Sequence, residues 1–414
     1  MTKRTWNTNK TARLFQAVAV VALFVGCRGG SSSESSSDGG APVVLSPKGK
    51  VLEAAENQAD PDGGSSKTEA AKSERVEIPS GTFHAGSLPG DKGRDPVLEP
   101  AELEIKLGNF TMDRYLYPND PQKPPMTGIS RTKAAELCEQ AGGRLCTELE
   151  WERACKGPDE TPYAGSSAWD PKCAKEPGSC ASGFGVLGMG AAYREWTSSE
   201  VLPIEDMQPK AAAVRGARAS GVGPEHRCAH RTAVDPTVNS EDLGFRCCRG
   251  APNAATIPSP QWEQTYRRVE LLPKELTEMF ASVPALSGLE KEIVYFKEPD
   301  DLNVVLARGD AGAAPPNTVL TTSPLLWNPV PGEQIVVVAG RAGKDSFVVA
   351  FYRLPGDRYR IASTLVLKDE RGPITLGFNG YVRKRLFWAT CWDCRGESGN
   401  VTYRDDGRVV VTQK

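Results

Sequence analysis

Cysteine and histidine are the residues through which this chain could do chemistry, and it carries eleven of the first and three of the second. Cys391-Trp392-Asp393-Cys394 has the C-x-x-C spacing in which one thiolate attacks a disulfide and the other resolves it. Exchange pairs of that kind normally place the attacking sulfur at a helix N-terminus. Here strand-like sequence lies on both sides and a Gly-rich turn follows, so the spacing predicts a structural bridge in a tight turn, with thiol exchange as its active rival. Half of a zinc site would need a second cysteine pair, and this region has none. Glu225, His226 and His230 bring a carboxylate and two imidazoles together, a donor set that suits zinc or iron. His84 is far away in sequence and nothing fixes a geometry, so the cluster reads first as structural or solvated. Arg215, Arg218, Arg227 and Arg231 supply guanidinium groups that could hold a carboxylate or a phosphate, against the alternative of ordinary surface ion pairs.

The elements that must carry these residues follow from the rest of the chain. At 414 residues it is long enough for two or three domains, and its formal net charge of -2 gives no reason to expect a nucleic-acid partner. Lys3, Arg4, Lys10 and Arg13 precede the apolar run Leu14 to Val25, a basic n-region and an h-region too short for a permanent membrane span. That run ends at Phe24-Val25-Gly26-Cys27, which resembles a bacterial lipobox and makes Cys27 the expected lipid attachment site at the end of a 1–27 signal segment. Residues 28–75 are rich in Ser, Gly, Glu, Asp and Ala, cannot bury enough surface to offset the entropy of ordering, and read as a disordered tether. With Cys27 set aside ten cysteines remain, eight of them between Cys138 and Cys248 and two in the C-x-x-C pair. An exported compartment permits them to pair.

A first folded unit is expected over 76–250. Val76 to Phe83 reads as a short strand and turn, and Leu103 to Leu107 alternates as a half-buried strand. A helix of about three turns is expected from Ser130 to Gln140, closed by Gly142-Gly143. Thr147 and Glu150 form a capping box that opens a second helix through Trp151 to Cys155, with Trp151 facing inward. From Lys156 to Arg246 the density of Gly, Pro, Ser and Cys predicts irregular loops stapled by disulfides.

The order of motifs in this unit resembles the formylglycine-generating (sulfatase-modifying factor) family. Ile78-Pro79-Ser80-Gly81-Thr82-Phe83 opens it, then a helix ending in Cys138, RLCTELEWERAC from Arg144, REWTSS from Arg194, VRG from Val214, and GFRCC from Gly244. The resemblance implies a C-type-lectin-like α+β fold with little regular secondary structure. It also implies bridges between Cys138 and Cys247 and between Cys155 and Cys228, the latter in Arg227-Cys228-Ala229-His230-Arg231. Cys146, Cys173, Cys180 and Cys248 stay open, a Cys173–Cys180 bridge that leaves Cys146 for Cys248 being one arrangement. Catalysis in the family depends on a Cys-x4-Cys pair that suits cuprous copper, just upstream of the Arg-Cys-Ala motif. This chain has no cysteine between Cys180 and Cys228. The family's Gly-Asn-x-Trp-Glu-Trp turn is altered too, reading Ala191-Ala192-Tyr193-Arg194 before Glu195-Trp196, which puts a cation held there in doubt. The arginine cluster falls where the family keeps its substrate groove, so Arg218, Glu225, His226 and Arg231 are the candidate ligand pocket.

Past a Pro- and Ala-containing linker at 251–261, a β-rich domain is expected over 262–414. Trp262 to Phe280 has helical spacing broken at Pro273. Ile335–Ala339, Phe347–Tyr352, Tyr359–Leu367, Ile374–Phe378, Leu386–Ala389, Val401–Tyr403 and Val409–Val411 read as strands of an antiparallel meander. Asn379-Gly380 and Asp406-Gly407 suit two-residue hairpin turns, and Arg383-Lys384-Arg385 reads as a solvated strand edge. The function expected is that of an exported lipoprotein without catalytic residues. It would be held by its lipid at the outer membrane of a diderm bacterium and bind a carbohydrate, peptidoglycan or protein ligand. No cofactor is expected. The rival is a divergent metal-dependent oxidase or oxygenase using copper or iron, with His226, His230 and Glu225 around the iron.

Overall fold

The computed structural model describes residues 74–202, 211–260 and 266–414, which belong to one compact unit. The signal segment with Cys27, nearly all of the expected tether, and the start of the helix expected from Trp262 lie outside the described residues. Among the described residues no helix is long and apolar enough to cross a membrane.

The first lobe is built from short pieces. Strands β1 (Arg75–Ile78) and β2 (Gly81–Ala85) are separated by Pro79-Ser80, and β3 (Leu103–Leu107) and β4 (Phe110–Asp113) return against them, β2 on β3 and β1 on β4. Helix α1 (Arg131–Gln140) starts at Ser130, whose hydroxyl accepts from Lys133 N, and is followed by β5 (Arg144–Leu145). In α2 (Glu148–Lys156) Thr147 and Glu150 make the reciprocal capping box, and Trp151 is fully buried. After the four-residue α3 (Lys172–Lys175) the chain departs from the irregular loops expected there. It forms β6 (Arg194–Val201), β7 (Ala211–Arg215), β8 (Arg231–Val234) and β9 (Leu243–Phe245), ordered β8-β7-β6-β9, with β6 and β9 parallel. Strand β7 is mostly alanine, β6 mixes charged, aromatic and hydroxyl side chains, and β6 takes a partner as distant as β9, so neither alternation nor a local turn announces them.

Strand β10 (Cys247–Arg249) sits between β4 and β5, and its alternation sends consecutive cysteines to opposite faces. Cys247 bridges Cys138 at the end of α1, whereas Cys248 bridges Cys146 before α2. The two sulfur pairs lie in different apolar clusters, one around Trp196 and Phe245, the other around Phe83 and Trp151. Cys155 bridges Cys228, and Cys173 bridges Cys180. The three long closures, of 109, 102 and 73 residues, contribute roughly 4 kcal/mol each by loop-closure entropy, less native strain.

The second lobe is regular. It begins with β11 (Tyr266–Arg268), and α4 (Pro273–Ala281) opens at Pro273 rather than breaking there, because a proline at the first helical turn loses no hydrogen bond. Next come β12 (Ile293–Tyr295), α5 (Asp300–Arg308), β13 (Val319–Thr321), β14 (Leu325–Trp327), β15 (Ile335–Ala342), β16 (Asp345–Leu354) and β17 (Arg358–Leu367). The lobe ends with β18 (Thr375–Phe378), β19 (Arg385–Ala389), β20 (Ser398–Tyr403) and β21 (Val409–Gln413). Two antiparallel sheets result, β11-β14-β15-β16-β17 with β12 on β15, and β13-β18-β19-β20-β21. They bury Val337, Val348, Trp327 and Tyr352 of the first against Trp388, Leu386 and Val401 of the second. The other face of β15 and β16 is covered by Met279 and Phe280 of α4. Burial on both faces is why these strands read as unbroken apolar runs.

Both expected hairpin connections join paired antiparallel strands, but neither is the two-residue kind. Gly343-Lys344 makes the two-residue connection between β15 and β16, with Gly343 at φ +60°. Asn379-Gly380 instead opens a six-residue loop, 379–384, and Asp406-Gly407 lies in the five-residue turn 404–408. Arg383 and Lys384 therefore sit on a loop and Arg385 begins an interior strand, so this basic run is not a strand edge.

Candidate functional site

Helix α2 carries Glu148 and Glu152 one turn apart, so both carboxylates leave the same face. Neither is exposed, and two arginines from neighbouring strands meet them. Arg215 Nη2, on β7, lies 3.0 Å from Glu148 Oε2 and 3.0 Å from Glu152 Oε2. Arg231 Nη2, on β8, donates to Glu148 Oε1 at 2.7 Å, and Lys156 Nζ stands 3.0 Å from Glu152 Oε1. Burial alone would lower the pKa of the Arg215 guanidinium, but Glu152 and Glu148 hold it above the ordinary value. For Arg231 burial prevails and the pKa is lowered. A second buried cluster adjoins the first. Arg227 forks onto Glu99 at 2.7 and 3.0 Å, and Ser87 Oγ donates to Glu99 at 2.6 Å. Burial pushes the Glu99 carboxyl up, yet these partners win and bring it down to about 2. His230 Nδ1, at 3.9 Å from Glu99, is too distant for a hydrogen bond, so we assign the effect to Arg227 and Ser87.

Three of the four arginines expected at a ligand rim, Arg215, Arg227 and Arg231, are therefore interior struts. Arg218 alone is exposed, 58% in its side chain, with Nε 3.9 Å from Asp242. His226 is buried and stacks on Trp169 at 3.7 Å. Its two ring nitrogens face carbonyl oxygens, Nδ1 that of Gly190 at 2.7 Å and Nε2 that of Gly221 at 3.1 Å. Gly190 is at φ +67°, and a Cβ there would stand 2.8 Å from the His226 carbonyl, so the close approach needs glycine. Glu225 is part-exposed on the preceding turn, packed against Gly221. Arg218, Glu225, His226 and Arg231 thus do not converge on one cavity, because two face the interior and two face solvent.

The donor set does not fit copper. All ten cysteines among the described residues are bridged, Cys391 with Cys394 included, and the segment between Gly216 and Arg227 contains no thiol. A cation on the altered turn meets the same difficulty, since Glu195 is buried and bound by Arg246 at 2.6 and 2.8 Å. Both His226 ring nitrogens are directed at carbonyl oxygens, so neither points at an open position where iron could sit. Among the described residues no group of three or more His, Cys, Asp or Glu side chains could hold a metal.

A different candidate lies between the lobes. A cleft of about 460 Å³ is lined by Pro96 and Leu98 of the first lobe, Ile257 and Pro260 of the connecting segment, and Asn328 and Leu354 of the second. The connecting segment is docked, with Ile257 buried and Asn253 Nδ2 donating to Glu150 Oε1 at 2.7 Å. Arg353, paired with Asp357 at 2.5 Å, stands at the edge of the cleft, and Asn328 Oδ1 is buried without a hydrogen-bond partner. Beside it Arg94 Nη1 meets Glu333 Oε2 at 2.7 Å, both side chains 2% exposed, joining the lobes. Burial raises the Glu333 carboxyl to about 7 against the pull of Arg94. No sequence signal marks this cleft, whose walls come from residues more than two hundred positions apart.

Residues 117–251 match the family model described as Sulfatase-modifying factor enzyme 1-like domain. No curated protein matches the chain. Among solved structures it is similar to PvdO from Pseudomonas aeruginosa, at 18% identity and TM-score 0.35 over 43% of this chain and 94% of that one. CarF is similar at 16% identity and TM-score 0.34, over 44% of this chain and 99% of that one. The Treponema denticola variable protein 1 is similar at 13% identity and TM-score 0.33, over 42% and 94%. Residues 117–251 of this chain are a sulfatase-modifying factor enzyme 1-like domain, set in an α+β, disulfide-rich first lobe that precedes an antiparallel β lobe.

Proposed function

We propose that this protein is an exported lipoprotein whose sulfatase-modifying-factor-like domain binds a ligand instead of oxidising one. Acylated Cys27 would hold it at the outer membrane of a diderm bacterium, facing the periplasm or the surface, and residues 28–73, ahead of β1, would act as its tether. The ligand class is a carbohydrate, a peptidoglycan fragment or a protein segment, and neither copper nor iron takes part. One observation carries the reading. Every described cysteine is bridged and the segment that would supply the family's thiol pair is closed by His226 against Trp169, while the interlobe cleft combines apolar walls with an unpartnered amide oxygen on Asn328. A buried acceptor without a donor suits a ligand that brings an N–H or O–H.

The oxidised full chain carrying Cys27→Ser, incubated with cuprous and ferrous salts, is expected to retain no stoichiometric metal after desalting and to show no thiol reactive toward maleimide. Binding to muropeptides and glycans, followed by calorimetry, is expected to weaken about tenfold in Asn328→Leu, the loss of one buried hydrogen bond. Tightly held copper or iron beside a reactive thiol would defeat the proposal.

A further inference from the structure

The loop between β18 and β19 holds Tyr381 in water, 86% exposed, with Val382 beside it at 37%. An exposed ring on a loose tip would call for no explanation, but this tip is braced. Asn379 Nδ2 donates to Pro316 O at 2.5 Å, and Val382 N closes a turn onto Asn379 O at 3.0 Å. Tyr266 Oη reaches Asn379 O and Val382 O at 3.3 and 3.4 Å, and Trp327 Nε1 donates to Arg383 O at 2.9 Å. Cations follow the ring at once, Arg383, Lys384 and Arg385, all exposed. The neighbouring turn 404–408 is tied on by Tyr403 N donating to Lys384 O at 2.9 Å and adds Arg404 and Arg408. On these two loops and at Arg385, the start of β19, five cations stand against two carboxylates, Asp405 and Asp406. Both carboxylates are solvent-exposed, and their pairs with Lys384 and Arg408 leave the net positive field in place.

We propose that this tip docks on an anionic lipid membrane, with Tyr381 and Val382 entering the headgroup region and the surrounding cations resting on lipid phosphates. Tyrosine favours the membrane interface, where its ring is buried and its hydroxyl stays wet, and juxtamembrane cations gain from a negative surface within a Debye length. Two projecting apolar side chains offer too little area for a specific protein interface, whereas a soft planar surface can close around them. The contact does not depend on the interlobe cleft or on an acyl group.

The test uses the full chain with vesicles of phosphatidylcholine alone or mixed with phosphatidylglycerol. Leu14 to Val25 or an acyl chain can hold the protein to either kind, so the deciding readout is local. In Tyr381→Trp the added emission, taken as a difference from the parent, is expected to shift blue and be quenched by brominated lipid on anionic vesicles only. When Lys384→Gln/Arg404→Gln is added to Tyr381→Trp, the blue shift and quenching on anionic vesicles are expected to need roughly tenfold more lipid and to weaken with salt, with the thermal unfolding curve unchanged. Emission that stays in its buffer position with both lipids would overturn the proposal, as would a shift on anionic vesicles unaffected by the double substitution.

Discussion

Residues 74–250 arrange strands of two to eight residues among four disulfides and several buried ion pairs, whereas residues 266–414 align strands of up to ten residues around aliphatic and aromatic side chains. The contrast follows from what each stretch can bury. Strands β15 and β16 present apolar residues to both faces, and burial at about 25 cal/mol per Å² can hold them without further devices. The first lobe has a largely polar β6, a β7 of small residues and long connections, so covalent closure and charge pairing take over. Charge pairing of this kind carries a desolvation cost and tolerates no missing partner. A lobe braced from within by Arg215, Arg227 and Arg231 also has fewer cations to present to a ligand.

The sharpest way to break the contrast is to remove one strut. Arg215→Ala leaves Glu148 and Glu152 buried and facing each other, and is expected to cost about 3 to 5 kcal/mol of stability in urea unfolding. Loss of the Trp151 environment, with the β signal of the second lobe retained at intermediate urea, would show that the lobes melt separately. A single shared transition would show that Arg94–Glu333 and the docked connecting segment couple them.

Acidity offers a comparison of opposite sign. Glu99 titrates near 2 in the folded state against an ordinary value near 4.5, so its stabilisation is present above pH 4.5 and is lost as the pH falls toward 2. Glu333 titrates near 7, so the folded state keeps a proton that the unfolded state releases. Its contribution is complete below pH 4.5 and declines as the pH rises toward 7. Each amounts to about 3 kcal/mol at most. Stability measured from pH 4.5 to 7.5 should therefore decline less in Glu333→Gln than in the parent, and an unchanged slope would remove Glu333 from the account. The smallest effect is expected from Thr147→Ala, about 1 kcal/mol, because the capping box loses one of its two reciprocal bonds.

Reading the chain succeeds where a local rule suffices. Thr147 and Glu150 announce a capped helix because the cap spans three residues, and the apolar runs from Ile335 to Tyr352 announce strands because burial on both faces leaves no polar position. Pro273 misleads because a proline can end a helix or open one, and only the backbone ahead of it, here the strand β11, distinguishes the two. Asn379-Gly380 misleads because register, not turn preference, decides how many residues the hairpin must span.

The order of cysteines and short motifs by itself determines the family of residues 117–251, and the absence of a thiol between Cys180 and Cys228 is already complete information about what the site lacks. Tertiary structure alone decides which charges are interior. Arg218 and Arg231 are the same residue type thirteen positions apart, and only the placement of α2 sends one to solvent and the other onto Glu148. The cleft between the lobes is likewise invisible along the chain, since a cavity is made by surfaces that fail to fill the space between them, and that failure has no residue of its own.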